Sequence, residues 1–587
     1  MYDGVRSRTS RGMADGVYTT DLPGGQRQSP QTFDVEGAPL LSRGTPQPDA
    51  VDWRMTSVLF LFPAMGGLLY GFDIGASSGA LVSITTPATS GTLWHGMSTL
   101  RSGMVVSSSL LGALLGSLAA LLWGQALGRR KELLMAAWFY GGGSVLVGIA
   151  PAYSLMLAGR VLYGIGIGLA MHAAPAYIAE TSPAHVRGLM ISLKEGLVVV
   201  GILLGYVVSF VFVDAVGGWR WMYGLGALPA LALGCGMLFL PESPRWLVLA
   251  GRGQSSALRA LLAVKGKAGT RAQCAAELES IVAALAEDAR GAEGGERDVG
   301  GSGAPGVLAG LPSSVPSRGS SPLFSPAADV LTLFQRQYRR PLVAGTCLML
   351  FQQITGQPSV LYYAASIFKA AGFSSSWAAT GVSLALGNFK LLMTCVAVVT
   401  VDSLGRRPLL LGGVGALVFS LVLLWVCAGG VLPLGPSGVA WTSLGGLLLY
   451  VGAYQLSFGP LSWLIVGEVF PLRVRSQAIA LATLVNFSAN FVVSLALPIM
   501  QRVLGVPATY GVFTVIGFFA LGVIYLISAF EVLRCLRARL SARRERALTL
   551  LPSPLPVPET KGKSLEEIEA MWKRRRGDRR ARSNAPD

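Results

Sequence analysis

Apolar stretches of about 20 residues recur along this chain, and they constrain the fold more than any other feature. About twelve can be counted: near 56–80, 101–123, 133–150, 155–178, 190–214, 219–240, 341–369, 378–401, 408–430, 438–466, 477–501 and 510–531. Each is long enough to cross the ~30 Å hydrocarbon core of a bilayer as a helix. Inside a bilayer every backbone N–H and C=O must find its partner within the protein, so apolar segments of this length are expected to be α-helical. Charged residues make up only 13% of the 587-residue chain, against about 25% in an ordinary soluble protein. The expected architecture is an all-α membrane protein of twelve transmembrane helices.

The spans group as six and six. The expected organisation is an N-terminal tail (1–54), a six-helix bundle (55–245), a polar central loop (246–340), a second six-helix bundle (341–532) and a basic C-terminal tail (533–587). The central loop reads as helical through Ala289 and then turns into a Gly/Ser/Pro-rich stretch expected to be disordered. The net charge of +17 is not a nucleic-acid footprint, because the basic residues sit between and after helices: "GRRK" at 128–131, "HVRG" at 185–188, "GRRP" at 405–408, "RVRS" at 473–476 and the tail "KRRRGDRRAR". If the helices alternate in direction, all of these fall on one side. By the positive-inside rule that side is cytosolic and carries both termini. The six cysteines show no spacing for a metal or a disulfide framework.

The two halves repeat each other. "GRRK" follows the second span and "GRRP" the eighth; "ETSPAHVRG" follows the fourth and "EVFPLRVRS" the tenth; "PESPRW" follows the sixth and "PETKGKSLEE" comes after the twelfth. A repeated bundle of this kind places a binding site between the halves near mid-membrane, with alternating access by rocking. Together with "QQITGQPSVLYYAASIF" and "GPLSWLIVGEVFP", the ordered set resembles the sugar porters of the major facilitator superfamily, over about residues 55–572 excluding insertions. "QQITGQPSVLYYAASIFKAAGF" and "SLKEG" are similar, more narrowly, to the plant xylose–proton symporter-like branch, which includes vacuolar glucose transporters and a plastid relative.

Within "GLLYGFDIGASSGA" (67–80) a carboxylate, Asp73, stands where no water is expected. On a helix Gly66, Tyr70, Asp73 and Ser77 share one face, and Gly67, Gly71, Gly75 and Gly79 form a separate stripe suited to close helix packing. A lone charge at mid-bilayer costs about 2.5–3.5 kcal/mol on insertion scales, so Asp73 needs a partner or a function; the candidate partner is Arg160. The resemblance implies that Asp73 carries the proton and that Arg160 tunes it. An Asp near an Arg is held charged, and separating the two favours protonation. A static ion pair fixing helix packing is the bland alternative.

A sugar site needs amides, hydroxyls and carboxylates for the OH groups and aromatic faces for the C–H surface. The resemblance implies that Gln352, Gln353, Tyr362, Tyr363, Tyr454, Gln455, Trp463, Asn486 and Asn490 lie in or near such a pocket, with Gly459 and Pro460 forming a flexible gate. Three positions depart from the family pattern: Pro358 and Lys390 stand where asparagines are expected, and Glu195 where a glutamine is expected. The site thereby gains an acid and a base, and Glu195 and Lys390 are expected to face each other across the two halves, with Lys194 as a rival partner for Glu195. Near the cytosolic face the resemblance implies gating salt bridges among Glu180, Arg187, Arg129 and Arg130 in the first half, and Glu468, Arg406, Arg407, Arg473 and Arg475 in the second. Gln125 replaces the Asp that many superfamily members carry before "xxGRR".

Glu36, Leu40 and Leu41 make an acidic dileucine, a sorting address of vacuolar and lysosomal membranes. The N-terminal acids argue against a plastid transit peptide. The segment 533–557, with Leu533, Leu536 and Leu540 on one face among arginines, suits an anionic membrane surface. The expected function is proton-coupled hexose transport, glucose first among the candidates, at a vacuolar membrane, with the plastid envelope and plasma membrane as alternatives. A facilitative uniporter and a sugar sensor are the rival functions. The expected partners are a monosaccharide, a proton and the bilayer. No cofactor beyond the proton, no metal, no nucleic acid and no enzymatic activity is expected, and the chain is expected to be a monomer.

Overall fold

The computed structural model describes residues 52–293 and 333–541, apart from positions 184–185, 336–337, 371, 374, 432, 434 and 471, and some side chains within that range. Twelve helical spans follow one another: α1 (Trp53–Thr85), α2 (Thr99–Leu127), α3 (Arg129–Gly148), α4 (Tyr153–Thr181), α5 (Arg187–Phe212), α6 (Gly218–Gly224 continuing as Ala227–Phe239), α7 (Arg339–Ile354, Gln357–Tyr362 and Ala364–Ala370), α8 (Ser376–Leu404), α9 (Arg406–Ala428), α10 (Pro436–Leu456 and Phe458–Val469), α11 (Leu472–Val503) and α12 (Gly505–Ser541). Among the described residues ten helices are long and apolar enough to cross a membrane. The two spans outside that set are α3, whose first turn is Arg129–Glu132, and α7, which is broken into pieces.

The glycine stripe of α1 explains its packing. A Cβ on Gly71 would collide with the Val198 carbonyl of α5, and one on Gly75 with the Ile202 carbonyl; the reciprocal glycines, Gly201 and Gly205, face the carbonyls of Leu68 and Phe72. Two glycine faces thus let α1 and α5 touch backbone to backbone. Gly112 with Gly164 does the same between α2 and α4. The sequence repeat is visible in backbone conformation. Gly128, between α2 and α3, has φ 86°, and its counterpart Gly405, between α8 and α9, has φ 88°. That left-handed region is open to glycine at little steric cost, which accounts for "GRR" beginning with glycine in both halves.

Three breaks depart from the continuous spans expected. Helix α7 is interrupted at Gly356, which has φ 90° and packs against the Phe513 ring. Helix α10 breaks at Ser457 (φ −114°, ψ −96°), and α6 turns at Leu225–Gly226. Another departure lies at the C-terminal end, where α12 runs as one helix to Ser541, carrying Leu533, Leu536 and Leu540 in the same helix as the membrane span. The central loop is helical where expected: Pro244–Leu249, Gln254–Lys265 and Arg271–Glu293 pack through Ala257, Leu261, Cys274 and Leu278. Asp52, which caps α1 through the amides of Arg54 and Met55, also accepts from the Lys267 amide, so this layer sits at the N-terminal end of α1, the termini side.

The two halves meet where α2 packs on α11, α5 on α8 and α1 on α7. Hydrogen bonds cross between them. Asn490 donates to the Tyr70 hydroxyl (3.3 Å), Tyr206 to the Leu361 carbonyl (2.9 Å), the Ala365 amide to Ser78 (2.9 Å) and Arg502 to Thr99 (2.9 Å). They run from mid-depth to the side away from the termini.

Candidate functional site

Asp73 lies in the middle of α1 with its carboxylate buried, and Arg160 of α4 meets it from within the same half. Arg160 Nη1 is 3.0 Å from Asp73 Oδ1 and Nη2 is 3.4 Å from Oδ2; the two side chains are 1% and 3% exposed. Ser109 of α2 donates to Asp73 Oδ2 at 2.7 Å. Arg160 Nη2 also donates to Ser77 Oγ, Ser109 Oγ and the Val106 carbonyl, and the guanidinium lies 4.4 Å from the centre of the Tyr223 ring. Three helices and an aromatic face therefore replace the water that these charges would otherwise need. A small cavity opens onto the pair, bordered by Ser144 and Tyr223. The expected pairing of Asp73 with Arg160 is present; the roles of Ser109, Ser77 and Tyr223 were not legible, because serines in an apolar helix carry no signal of what they face.

The sugar-site candidates gather around the breaks in α7 and α10. The second piece of α10 starts after Ser457, and Gln352 of α7 donates Nε2 to the carbonyls of Phe458 (2.8 Å) and Gly459 (3.3 Å) in its first turn. Asn486 of α11 in turn donates to Gln352 Oε1 at 2.8 Å. Gln352 thus ties α7, α10 and α11 together. Its neighbour Gln353 is also buried, and its Oε1 has no hydrogen-bond partner; the same holds for Nε2 of Gln357, which sequence reasoning did not single out. Tyr70 meets Phe487 edge to face at 5.6 Å. Tyr362 is fully buried beside Tyr70, whereas Tyr363 spends its hydroxyl on the Ser494 carbonyl (3.0 Å).

The two departures do not pair as expected. Glu195 Oε1 lies 2.7 Å from Nζ of its own neighbour Lys194, while Lys390 Nζ lies 2.6 Å from Gln455 Oε1 and 5.3 Å from the centre of the Tyr454 ring. Adjacency on one helix turn brings Lys194 to Glu195 at no cost in loop closure, and Lys390 is met by α10 of its own half. Lys194 nevertheless reaches the other half: its ammonium is 5.0 Å from the centre of the half-buried Trp463 ring.

At the termini side Glu180 pairs with Arg129 (3.4 Å). The Arg187 side chain lies outside the described residues, as do those of Glu468, Arg473 and Arg475, and Glu36, Leu40 and Leu41 lie outside them altogether. Arg130 does not join Glu180. It donates to the carbonyls of Met237 (3.0 Å) and Leu238 (2.6 Å), satisfying the end of α6. Glu242 accepts from the backbone amides of Arg130 (3.0 Å), in the first turn of α3, and of Ser243 (3.0 Å), the cap of the Pro244–Leu249 helix, and burial pushes its carboxyl above the usual range. Arg406 and Arg407 begin α9 as Arg129 and Arg130 begin α3. A buried pair of α3 and α4, Glu132 Oε1 with His172 Nδ1 at 2.7 Å, was also missed by sequence reasoning. No group of His, Cys, Asp and Glu fit to hold a metal occurs among the described residues.

A profile of the family described as "Sugar (and other) transporter" matches residues 59–297 and 313–534. The chain is 45% identical over 534 residues to "D-xylose-proton symporter-like 3, chloroplastic" of Arabidopsis thaliana, covering 89% of this chain and 83% of that protein. It is 42% identical to "D-xylose-proton symporter-like 2" of the same plant over 87% of this chain and 90% of the relative. Among solved structures it is similar to the proton:xylose symporter XylE bound to 6-bromo-6-deoxy-D-glucose, with TM-score 0.66 and 26% identity over 88% of this chain and 99% of that one.

Proposed function

The chain belongs to the sugar (and other) transporter family, a transporter and not an enzyme, and on that footing we propose that it moves a monosaccharide across a membrane by alternating access, driven by a proton gradient. The observation that carries the reading is the buried cluster of Asp73, Arg160 and Ser109. Arg160 donates to both carboxylate oxygens and Ser109 to one of them. A change of state that withdraws Arg160 leaves a carboxylate in a dry site, where taking a proton is cheaper than remaining charged. The sugar reading is supported by the unpartnered amide atoms of Gln353 and Gln357 within the broken α7, by relatives named as D-xylose-proton symporter-like and by a structural neighbour named as a proton:xylose symporter. The neutral substrate proposed is a hexose, glucose first, with xylose the nearest competitor.

Purified protein in liposomes tests this. Labelled glucose and xylose are expected to accumulate above equilibrium when the pH gradient is imposed, and a protonophore is expected to abolish the accumulation. Equilibration that ignores the gradient would mean a uniporter, and absence of flux with retained sugar binding would mean a sensor. For residence we propose a vacuolar membrane with both termini cytosolic, from the acidic dileucine Glu36, Leu40 and Leu41. The chloroplastic designation of one relative makes the plastid envelope the rival. A fluorescent fusion is expected at the vacuole and, with Leu40→Ala and Leu41→Ala together, at another membrane; a plastid signal in the unaltered chain would overturn the placement.

A further inference from the structure

The charges around the central site do not cancel. Lys194 and Glu195 form one ion pair, 2.7 Å apart, and Asp73 with Arg160 forms another. Among the described residues around it, Lys390 is the cation with no carboxylate in ion-pair contact. Its ammonium is buried, 3% exposed, and its contacts are neutral: the Gln455 amide oxygen and the face of Tyr454. Glu195 is near enough for its charge to bear on Lys390, Tyr454 and Tyr70, but its carboxylate is held by Lys194. A buried ammonium with only neutral neighbours is expensive in a membrane interior, and an anionic ligand would offset that cost. The unpartnered Gln353 Oε1 and Gln357 Nε2, each more than nine-tenths buried, offer a hydrogen-bond acceptor and donor of the sort a polyhydroxylated ligand satisfies.

We propose that the central site accepts hexuronates beside neutral hexoses and prefers them, with Lys390 meeting the substrate carboxylate. This rests on the sugar-transport reading and narrows its substrate class. A single uncompensated positive charge matches a single carboxylate; a sugar phosphate would bring up to two negative charges and leave one unmatched. Gln455 and the Tyr454 face hold the ammonium from one side, so that a substrate oxygen completes its three donors. Symport of one proton with one hexuronate would also be electroneutral.

The test uses the full-length protein in proteoliposomes and measures competition against labelled glucose by D-glucuronate and by D-glucuronamide. The amide is nearly isosteric and lacks the charge, and the carboxylate stays ionised from about pH 5.5 to 7.5. In the unaltered protein glucuronate is expected to compete at least tenfold more strongly than the amide and to be taken up itself. Lys390→Gln is expected to bring that ratio to about one. The ratio in the unaltered protein decides the matter even where the variant fails to fold. Glucose uptake with glucuronate no better than the amide would overturn this inference and leave sugar transport standing. A glucuronate preference that survives Lys390→Gln in folded protein would overturn the assignment to Lys390. Flux of none of the three compounds through correctly folded protein would overturn the transport reading and this inference together.

Discussion

At the scale of single residues the described membrane charges other than Lys390 sit in company. Asp73 has Arg160 and Ser109, Lys194 has Glu195, and Glu132 has His172. Asp73→Asn keeps the size and one acceptor oxygen but removes the titratable group, so gradient-driven accumulation is expected to fall to the equilibrium ratio while sugar exchange persists. Measuring the steady-state sugar ratio under an imposed gradient checks this, and continued concentration by the variant would exclude Asp73 as the proton site. Gln352 is different in kind, because both ends of its amide are engaged within the protein. Gln352→Ala strands the Asn486 donor and removes the tie to the α10 break, an unmet buried group costing about 1–3 kcal/mol. A five- to 150-fold weaker apparent sugar affinity is the expected magnitude for a loss of about that size, read from the concentration dependence of exchange. Unchanged affinity in folded protein would remove Gln352 from the site.

At the scale of elements the glycines decide how close helices come. The α1–α5 crossing has no room for a methyl group, since a Cβ at Gly71 falls on the Val198 carbonyl. Gly71→Ala is expected to destabilise the N-terminal half by about 1–3 kcal/mol, the usual range for overpacking, seen as a lower melting temperature in detergent. The same substitution at Gly412, where a Cβ meets nothing within 4 Å, is the control and is expected to leave the melting temperature within a degree or two. The sequence announced the α1 stripe but not its partner, because small-residue spacing marks a face without naming what lies against it. The break in α7 was equally hidden, whereas Gly459 and Pro460 had marked α10 for a flexible gate two residues from where it breaks. Gly356 and Ser457 look like ordinary small residues in apolar runs, and their backbone angles fix where the interruptions fall.

At the scale of the whole molecule, the hydrogen bonds that join the halves lie at mid-depth and on the side away from the termini. If transport requires the halves to rock apart there, a covalent link at that seam should stop the cycle. Ser78→Cys with Ala365→Cys joins α1 to α7 where the Ala365 amide now meets the Ser78 hydroxyl at 2.9 Å. Built in a background with the six native cysteines replaced, oxidation is expected to lower uptake more than tenfold and reductant to restore it. Uptake unaffected by a disulfide verified by mass spectrometry would mean that this seam does not open.

By itself the sequence determined that the chain is a twelve-helix membrane protein of repeated halves, because apolar length and motif order are local properties that do not depend on how helices meet. It also determined that Asp73 needed a partner, since the cost of a charge in hydrocarbon is the same whatever the fold. What only the tertiary structure decided were the partnerships. Glu195 and Lys390 carry opposite charges in neighbouring helices, and charge alone suggested that they pair. The fold put Lys194 against Glu195 and Gln455 against Lys390, because a buried ammonium takes whichever oxygen its rigid surroundings hold within reach. Arg130 likewise left the charge network for the carbonyl end of α6. That outcome depends on where α6 stops, and no spacing along the chain records it.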